Sequence, residues 1–450
     1  MTRLRKLPLA SICLQGLLLS NHVVPALAQV GGISSESRDA SVTFSASSAS
    51  ETEKDVTVLV GTKTVGNSVP TDAYKTYSTK ITLDPESTDD EETVTFTGAN
   101  PSTTFAANGT STDDGDEPKN TQPCNNYIEL CERKYSNITE VGAHNSPFVR
   151  EGSSAANQQL DVITQLNDGV RFLQAQIQFP TPREGEDEEV EPHFCHTSCD
   201  MLDAGPITDW LTRVRKWVDN HPYDVVTILL GNGNYSHPDL YAKHIEASGI
   251  VKYAYRPRVF PMALDDWPTL SEMIIRGKRV VMFLDYNADQ KAYPWLLDQF
   301  SQMWETPFDP IDPTFPCDVQ RPPDLSEARA KDRLYLFNHN LNAEFNVFDT
   351  QILVPAVSLL NRTNGLNGTG SLGNSTTGCV KKWGRPPKIL NLDYYNFGEP
   401  EGSAFMVAAK YNNVTYNGEC CGSPDDNAGS SLRPAAAPLA LAVVLAALLM

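Results

Sequence analysis

Residues 207–230 read Ile-Thr-Asp-Trp-Leu-Thr-Arg-Val-Arg-Lys-Trp-Val-Asp-Asn-His-Pro-Tyr-Asp-Val-Val-Thr-Ile-Leu-Leu. Ile207, Trp210, Leu211, Val214, Trp217 and Val218 fall on one stripe at 3.6-residue spacing, which predicts an amphipathic helix over Ile207–Asn220. His221-Pro222 ends it, because a residue before proline is driven out of the helical region. Asp224 then leads into Val225–Leu230, an almost unbroken apolar and β-branched run. Such a run suits a strand of a parallel sheet covered on both faces. Helix followed at once by buried strand is half of a repeating α/β unit.

The same strand signal recurs on both sides of this unit. Candidate strands are Thr139–His144, Val170–Phe179, His193–His196, Arg279–Asp285, Arg333–Phe337 and Lys388–Tyr394, and weaker helical segments cover Ser271–Ile275 and Ser403–Tyr411. Seven strands alternating with helices or long loops predict an irregular closed α/β barrel of the TIM type. A doubly wound sheet is the competing arrangement, but no Gly-x-Gly-x-x-Gly follows the first strand to open a helix.

Composition changes before this region. The chain has 450 residues, 36 Lys plus Arg and 56 Asp plus Glu, a formal charge of −20. Residues 29–123 hold 16 acidic and 6 basic residues, half of that charge, with neither cysteine nor tryptophan. They form an acidic Ser/Thr-rich segment, expected to be partly disordered or a small β module, with possible strands at Asp55–Val60 and Glu92–Thr97 and a linker at Asp113–Pro118. An overall charge this negative repels phosphate polymers and excludes general nucleic-acid binding.

The two ends read as processing signals. Arg3, Arg5 and Lys6, the apolar Leu7–Leu19 and the A-x-A site Ala26-Leu27-Ala28 predict a signal peptide over residues 1–28. Small residues at Asn427-Ala428-Gly429, a spacer and the apolar Leu439–Met450 predict a GPI-attachment signal over residues 423–450. The expectation is a secreted glycoprotein held at the cell surface through a GPI anchor. Seven N-x-[ST] sequons, at Asn108, Asn137, Asn234, Asn361, Asn367, Asn374 and Asn413, agree with that route. Eight cysteines remain after Cys13 leaves with the leader, an even number suited to disulfides. Cys124–Cys131 and Cys195–Cys199 are the local candidates, leaving Cys317, Cys379, Cys420 and Cys421 to pair among themselves. A zinc site at His193, Cys195, His196 and Cys199 is the alternative use of two of them.

In a parallel barrel, chemistry sits where strands end at the C-terminal face. Strand ends here carry His144-Asn145-Ser146, Cys195-His196, Gly231-Asn232, Asp285-Tyr286, Asn338-His339 and Asp393-Tyr394, and the second strand carries Arg171, Gln174 and Gln176. Two histidines at separate strand ends fit general base and general acid roles, with Asp285 and Asp393 available to orient them. His221, His237 and His244 read as surface residues.

Gly142-Ala-His144-Asn145-Ser146, Gln165-Leu-x-x-Gly169-Val170-Arg171, Cys195-His196 and Asp224–Leu230, in that order, resemble the X domain of phosphatidylinositol-specific phospholipases C. The nearest likeness is to secreted fungal PLC-like phosphodiesterases. It covers residues 124–422, about Cys124 to Cys421. The resemblance implies a distorted (β/α)8 barrel and a phosphoric diester hydrolase of lipid metabolism. His144 would take the proton of the inositol 2-hydroxyl, His196 would protonate the leaving alcohol, and Asp393 would complete the catalytic set. Asn145, Arg171, Gln174, Gln176, Asp285 and Tyr394 are expected to line the head-group pocket. The partner is a phospholipid or phosphodiester head group.

The chain departs from that family where charge is needed. The second-strand positions that carry two metal-binding acids in calcium-dependent relatives, or an aspartate and an arginine in metal-independent ones, are Gln174 and Gln176. A further metal-ligand glutamate is replaced by Gly231. Amides without carboxylates bind Ca²⁺ poorly, so no metal and no cofactor is expected. Arg171, Lys381, Lys382 and Arg385 are the candidate substitutes for the missing cation. Two other functions compete: a cell-surface barrel that binds a polar head group or glycan without turnover, and a glycosidase using Asp285 with Asp393 or Glu399.

Overall fold

In a computed structural model, residues 62–63, 69–70, 73–75, 77, 79–83, 121–149, 151–181, 190–347, 350–418 and 420–422 are described. The expected signal peptide, the Asp55–Val60 and Glu92–Thr97 strands, the Asp113–Pro118 linker and the GPI signal lie outside them. Among the described residues, no helix is long and apolar enough to cross a membrane.

Eight parallel strands curl into a barrel: β1 (Glu140–Ala143), β2 (Phe172–Gln178), β3 (Val226–Gly231), β4 (Val280–Leu284), β5 (Leu296–Asp298), β6 (Met303–Glu305), β7 (Leu334–Asn338) and β8 (Ile389–Leu392). The hydrogen-bonded order is β5-β4-β3-β2-β1-β8-β7-β6. Its two outer strands, β5 and β6, are joined by the helical turn Gln299–Gln302 and not by a ladder. The barrel is therefore open at one seam.

Strand alternation divides the core into two layers. Phe172, Leu229, Phe283, Leu336 and Ile389 pack inside the barrel. Leu173, Ile228, Leu230, Met282, Phe337 and Leu390 pack outward against the helices. Gly142 is required inside, since a Cβ there would lie 2.7 Å from Phe172 Cδ1.

Around the barrel lie α1 (Val162–Asp168), α2 (Ile207–Asn220), α3 (Asp239–Ala247), α4 (Leu270–Ile275), α5 (Leu372–Trp383) and α6 (Ser403–Tyr411). The predicted helix over Ile207–Asn220 is α2, and all six of its stripe residues are buried. Each such side chain contributes roughly 1.5–3 kcal/mol by leaving water.

Two expectations need correction. His193–Cys195 is not a barrel strand: it pairs antiparallel with the far end of β2, Ile177 opposite Phe194, and with Asp203–Pro206. β2 outlasts its barrel neighbours and so carries this small hairpin over the mouth. The short strands β5 and β6 were absent from the expected set because three residues give no readable period.

The cysteines pair as Cys124–Cys131, Cys195–Cys199, Cys317–Cys379 and Cys420–Cys421. His193, Cys195 and Asp203 lie close together. The Cys195 sulfur is nevertheless spent on Cys199, and His193 Nδ1 meets both Asp203 oxygens at 2.9 Å, so zinc has no thiolate there.

Candidate active site

The mouth is built from residues just past the strand ends. His144 follows β1 and Asp393 follows β8, neighbouring strands whose register sets Ala143 opposite Leu392. Both side chains are buried, and His144 Nδ1 lies 2.7 Å from Asp393 Oδ1. An Nδ1–H donated to the carboxylate leaves Nε2 with its lone pair free to accept a proton. Asn157 Nδ2 donates to the same Asp393 oxygen at 2.9 Å, and Asn340 Nδ2 lies 3.5 Å from His144 Nε2. Gln158 Nε2 ties the two strand ends together by donating to the His144 carbonyl at 2.7 Å and the Leu392 carbonyl at 2.8 Å.

His196 reaches the mouth from the hairpin. The Cys195–Cys199 disulfide closes a tight ring around it, and its N–H donates to the Leu202 carbonyl at 2.9 Å. Its ring meets Phe148 edge-on at 5.2 Å. His196 is half-buried with Nδ1 enclosed and unpartnered. Burial first, and then the charge of nearby His144, push its pKa from 6.5 down to about 3. Phe148 links the two histidines, its N–H donating to the Asn145 carbonyl at 2.9 Å while its ring packs on His196.

Each of these three side chains precedes a left-handed residue: Asn145 at φ 48°, Thr197 at φ 63° and Tyr394 at φ 45°. Non-glycine residues in this region are strained and cluster at functional sites. Tyr394 secures the Ala155–Gln158 loop, its hydroxyl donating to the Ala156 carbonyl at 2.8 Å and its N–H to the Asn157 carbonyl at 2.8 Å.

Below the histidines a polar layer crosses the barrel interior. Asn391 Nδ2 lies 3.0 Å from Gln174 Oε1 and 3.1 Å from Asn338 Oδ1, and Asn338 Nδ2 donates to Glu305 Oε2 at 3.2 Å. Glu305 holds Arg321 through Nε at 3.0 Å and through Nη2, while Arg321 Nη1 donates to Tyr286 Oη at 3.0 Å. The guanidinium sits over Phe308 at 3.8 Å. Burial works against its charge, but Glu305, Tyr286 and Asp285 raise its pKa further above the ordinary arginine value. Asp309, half-buried on the loop after β6, has its pKa raised by burial against the opposing charges of His144 and Arg321.

Asp285 accepts the N–H groups of Asn232 and Tyr286 at 2.7 and 2.8 Å, and burial pushes its pKa up to about 7. Gln176 fills the space above Gly231, where a Cβ would fall 2.1 Å from its Oε1. Asn145 Nδ2 donates to Asn157 at 3.2 Å, and its Oδ1 is buried without a partner.

The structure does not bring every expected residue here. Arg171 lies at the N-terminal end of β2, facing the opposite end of the barrel. There it donates to Asp224 Oδ1 from Nε at 3.0 Å and Nη2 at 2.7 Å, and to two carbonyls. Residue 171 precedes β2, so its distance along the strand decides which end it serves. Lys382 pairs with Asp318 outside the barrel, and Arg385 covers Tyr335. His339 lies in the outer core, stacked 3.6 Å from Phe315. Glu399 is exposed.

Asn157, Asn340, Glu305, Asp309 and Arg321 are mouth residues that sequence reading missed. Only Asn340 had a signal, lying two residues past the noted strand end at Asn338. Arg321 comes from a loop that meets β6 through a Glu305–Arg321 bridge, which no local pattern announces.

A calcium site of the type found in calcium-dependent relatives does not fit these residues. Its matching positions offer the Asn145 oxygen, the amides of Gln174 and Gln176 and no side chain at Gly231, and Gln174 Oε1 already accepts from Asn391. No carboxylate is among them.

Residues 130–408 match the PI-PLC X domain. The chain belongs to the PI-PLC X domain family. An uncharacterized secreted protein of Arthroderma benhamiae is 49% identical over 332 residues, covering 73% of each chain. A PI-PLC X domain-containing protein 1 of the same organism is 39% identical over 278 residues, which is 61% of this chain and 86% of that one. Among solved structures, the phosphatidylinositol-specific phospholipase C of Listeria monocytogenes aligns over 63% of this chain and 96% of its own at 12% identity, with a TM-score of 0.37. The X domain of this chain is the curled parallel α/β barrel described above, with His144, His196 and Asp393 just past its strand ends and the hairpin.

Proposed function

We propose that this X domain cleaves a phosphodiester joining an inositol head group to a lipid alcohol, without a metal. His144 Nε2 takes the proton of the hydroxyl next to the phosphate. That oxygen bonds to phosphorus, the bond to the lipid oxygen breaks, and His196 supplies its proton, leaving a cyclic phosphodiester. Asp393 fixes the His144 tautomer and balances its charge once protonated. Arg321 is the cation near the phosphate, in place of the arginine or metal that Gln174 and Gln176 do not supply.

The His144–Asp393 contact at 2.7 Å is the observation that supports this reading. Resting His196 is neutral at physiological pH. A phosphate monoanion beside it favours its protonated form, which is the form a general acid needs. We further propose that the protein is secreted, in line with the name of its Arthroderma relative, and that residues 423–450 direct a GPI anchor.

A second reading has one specific observation in its favour. Glu305 holds Arg321 in an ion pair, and Asp285 and Asp309 act on the same guanidinium, so much of its charge is already balanced. The barrel would then bind a head group without turning it over.

Full-length protein mixed with phosphatidylinositol vesicles in EDTA, followed by phosphorus NMR, separates the two. Release of a cyclic inositol phosphate, reduced at least 100-fold in His144→Ala with unchanged melting, is the expected result. Saturable inositol phosphate binding with no turnover on inositol, glycerol or choline diesters supports the second reading. Neither binding nor turnover sinks both.

A further inference from the structure

Part of the acidic N-terminal region lies on the barrel itself. Ile81 and Thr82 pair antiparallel with Phe260 and Val259, and Leu83 N–H donates to the Arg258 carbonyl at 2.9 Å. Tyr77 meets Phe260 edge-on at 4.9 Å, Lys80 pairs with Asp266, and Arg329 Nη2 reaches the Tyr77 carbonyl at 3.4 Å. Upstream, Ala73 is buried, and its carbonyl accepts the Asn287 N–H at 3.4 Å. These residues run over the open seam, where β5 and β6 share no ladder and Phe300 of the connecting turn is fully buried.

Tyr74 connects this strap to the mouth. Its ring lies 4.9 Å from Phe300 and 5.4 Å from Tyr286, with the two tyrosine hydroxyls 3.5 Å apart. Tyr286 in turn accepts from Arg321 Nη1 at 3.0 Å. The same Phe300 ring lies 5.6 Å below the Arg321 guanidinium. Two rings that shape the seat of Arg321 are therefore packed against one side chain of the strap.

We propose that residues 73–75, 77 and 79–83 form a wall of the head-group site and that Tyr74 is a positioning residue, holding Tyr286 and Phe300 so that Arg321 faces the phosphate. This rests on the role given to Arg321 above. It moves the working boundary of the domain: a protein beginning at Cys124 lacks one side of the seat of its own cation. Because Glu305 fixes the other edge of the guanidinium, loss of Tyr74 frees only the Nη1 side. Arg321 then samples more orientations, and binding suffers before chemistry does.

The test compares full-length wild type with Tyr74→Ala and Tyr74→Phe. Tyr74→Ala is expected to weaken myo-inositol 1-phosphate binding and raise KM about tenfold, with kcat within threefold. Tyr74→Phe keeps the ring and is expected to stay within threefold of wild type in all three. Unchanged affinity and KM in Tyr74→Ala would overturn the proposal, as would a Tyr74→Phe variant as impaired as the alanine. Should wild type neither bind nor turn over, the functional reading fails separately. Amide exchange at Tyr286–Ala288 then decides for the strap: at least tenfold faster exchange in Tyr74→Ala supports it, and unchanged exchange overturns it.

Discussion

The two ends of the barrel are both rich in buried polar groups, yet they treat them in opposite ways. At the N-terminal end, Lys388 Nζ donates to Glu140 Oε1 at 2.6 Å, and Thr227 links Glu140 Oε2 to the Tyr135 hydroxyl at 3.1 and 2.7 Å. Arg171 and Asp224 are likewise joined, and Lys388 also lies 3.8 Å over the Tyr135 ring. At the C-terminal mouth, Asn145 Oδ1, His196 Nδ1, Asn340 Oδ1, Asn391 Oδ1 and Asp393 Oδ2 are buried with no partner. An unpartnered buried polar atom costs about 1–3 kcal/mol. One end is closed for stability. The other keeps unmet hydrogen-bonding capacity that a polyhydroxylated phosphate could meet.

The sharpest way to break this contrast is at the mouth. Asp393→Asn would present an amide N–H to His144 Nδ1 and favour the wrong tautomer, so turnover should fall by about 10³-fold or more while the protein stays folded. Steady-state kinetics beside a thermal melt checks this. Equal losses of turnover and stability would mean the mouth is structural like the base.

The converse experiment is at the base. Lys388→Met leaves Glu140 buried and unpaired and should cost roughly 3–5 kcal/mol of stability by denaturant unfolding. Adding Glu140→Leu should recover most of that, with head-group affinity of the folded protein unchanged in both.

A smaller effect concerns acid. Burial pushes the His339 pKa from 6.5 down to about 3. Between those values the unfolded chain holds the proton and the folded one does not. The contribution of His339 to stability is therefore full above pH 6.5 and is lost as pH falls through that window, by about 1.4 kcal/mol per pH unit. His339→Leu should remove this dependence, so the variant gains on wild type by about 1 kcal/mol between pH 7 and pH 5.5. A constant difference across that range would place His339 in a more polar setting than its contacts with Phe315 and Phe337 indicate. The smallest expected change is none: excess EDTA should leave turnover within twofold. Complete loss on chelation would show a metal bound by groups other than the amides of Gln174 and Gln176.

Much of the barrel could be read from local pattern. α2 was legible to the residue because six large apolar side chains repeat at helical spacing, and six of the eight barrel strands were legible because each is at least four residues long and holds apolar or β-branched residues. β5 and β6 escaped because each is three residues long, and the His193–Cys195 hairpin was misassigned because antiparallel pairing at the end of β2 leaves no mark in either segment.

The amino-acid order alone determined the acidic segment over residues 29–123, the alternation of helix and buried strand, and the strand-end positions of His144 and Asp393. It also determined that Gln174 and Gln176 stand where charge is usual. The first three are consequences of nearest-neighbour chemistry and period; the reading of the two glutamines rests on the resemblance to the family. Tertiary structure decided which end of a strand each polar residue serves, and so sent Arg171 to the base and Arg321 to the mouth. It also set Tyr74 against Tyr286, 212 positions apart in the chain. Such pairings depend on how the sheet curls and where it fails to close, and a curled sheet brings together side chains whose separation along the polymer carries no information about their distance in space.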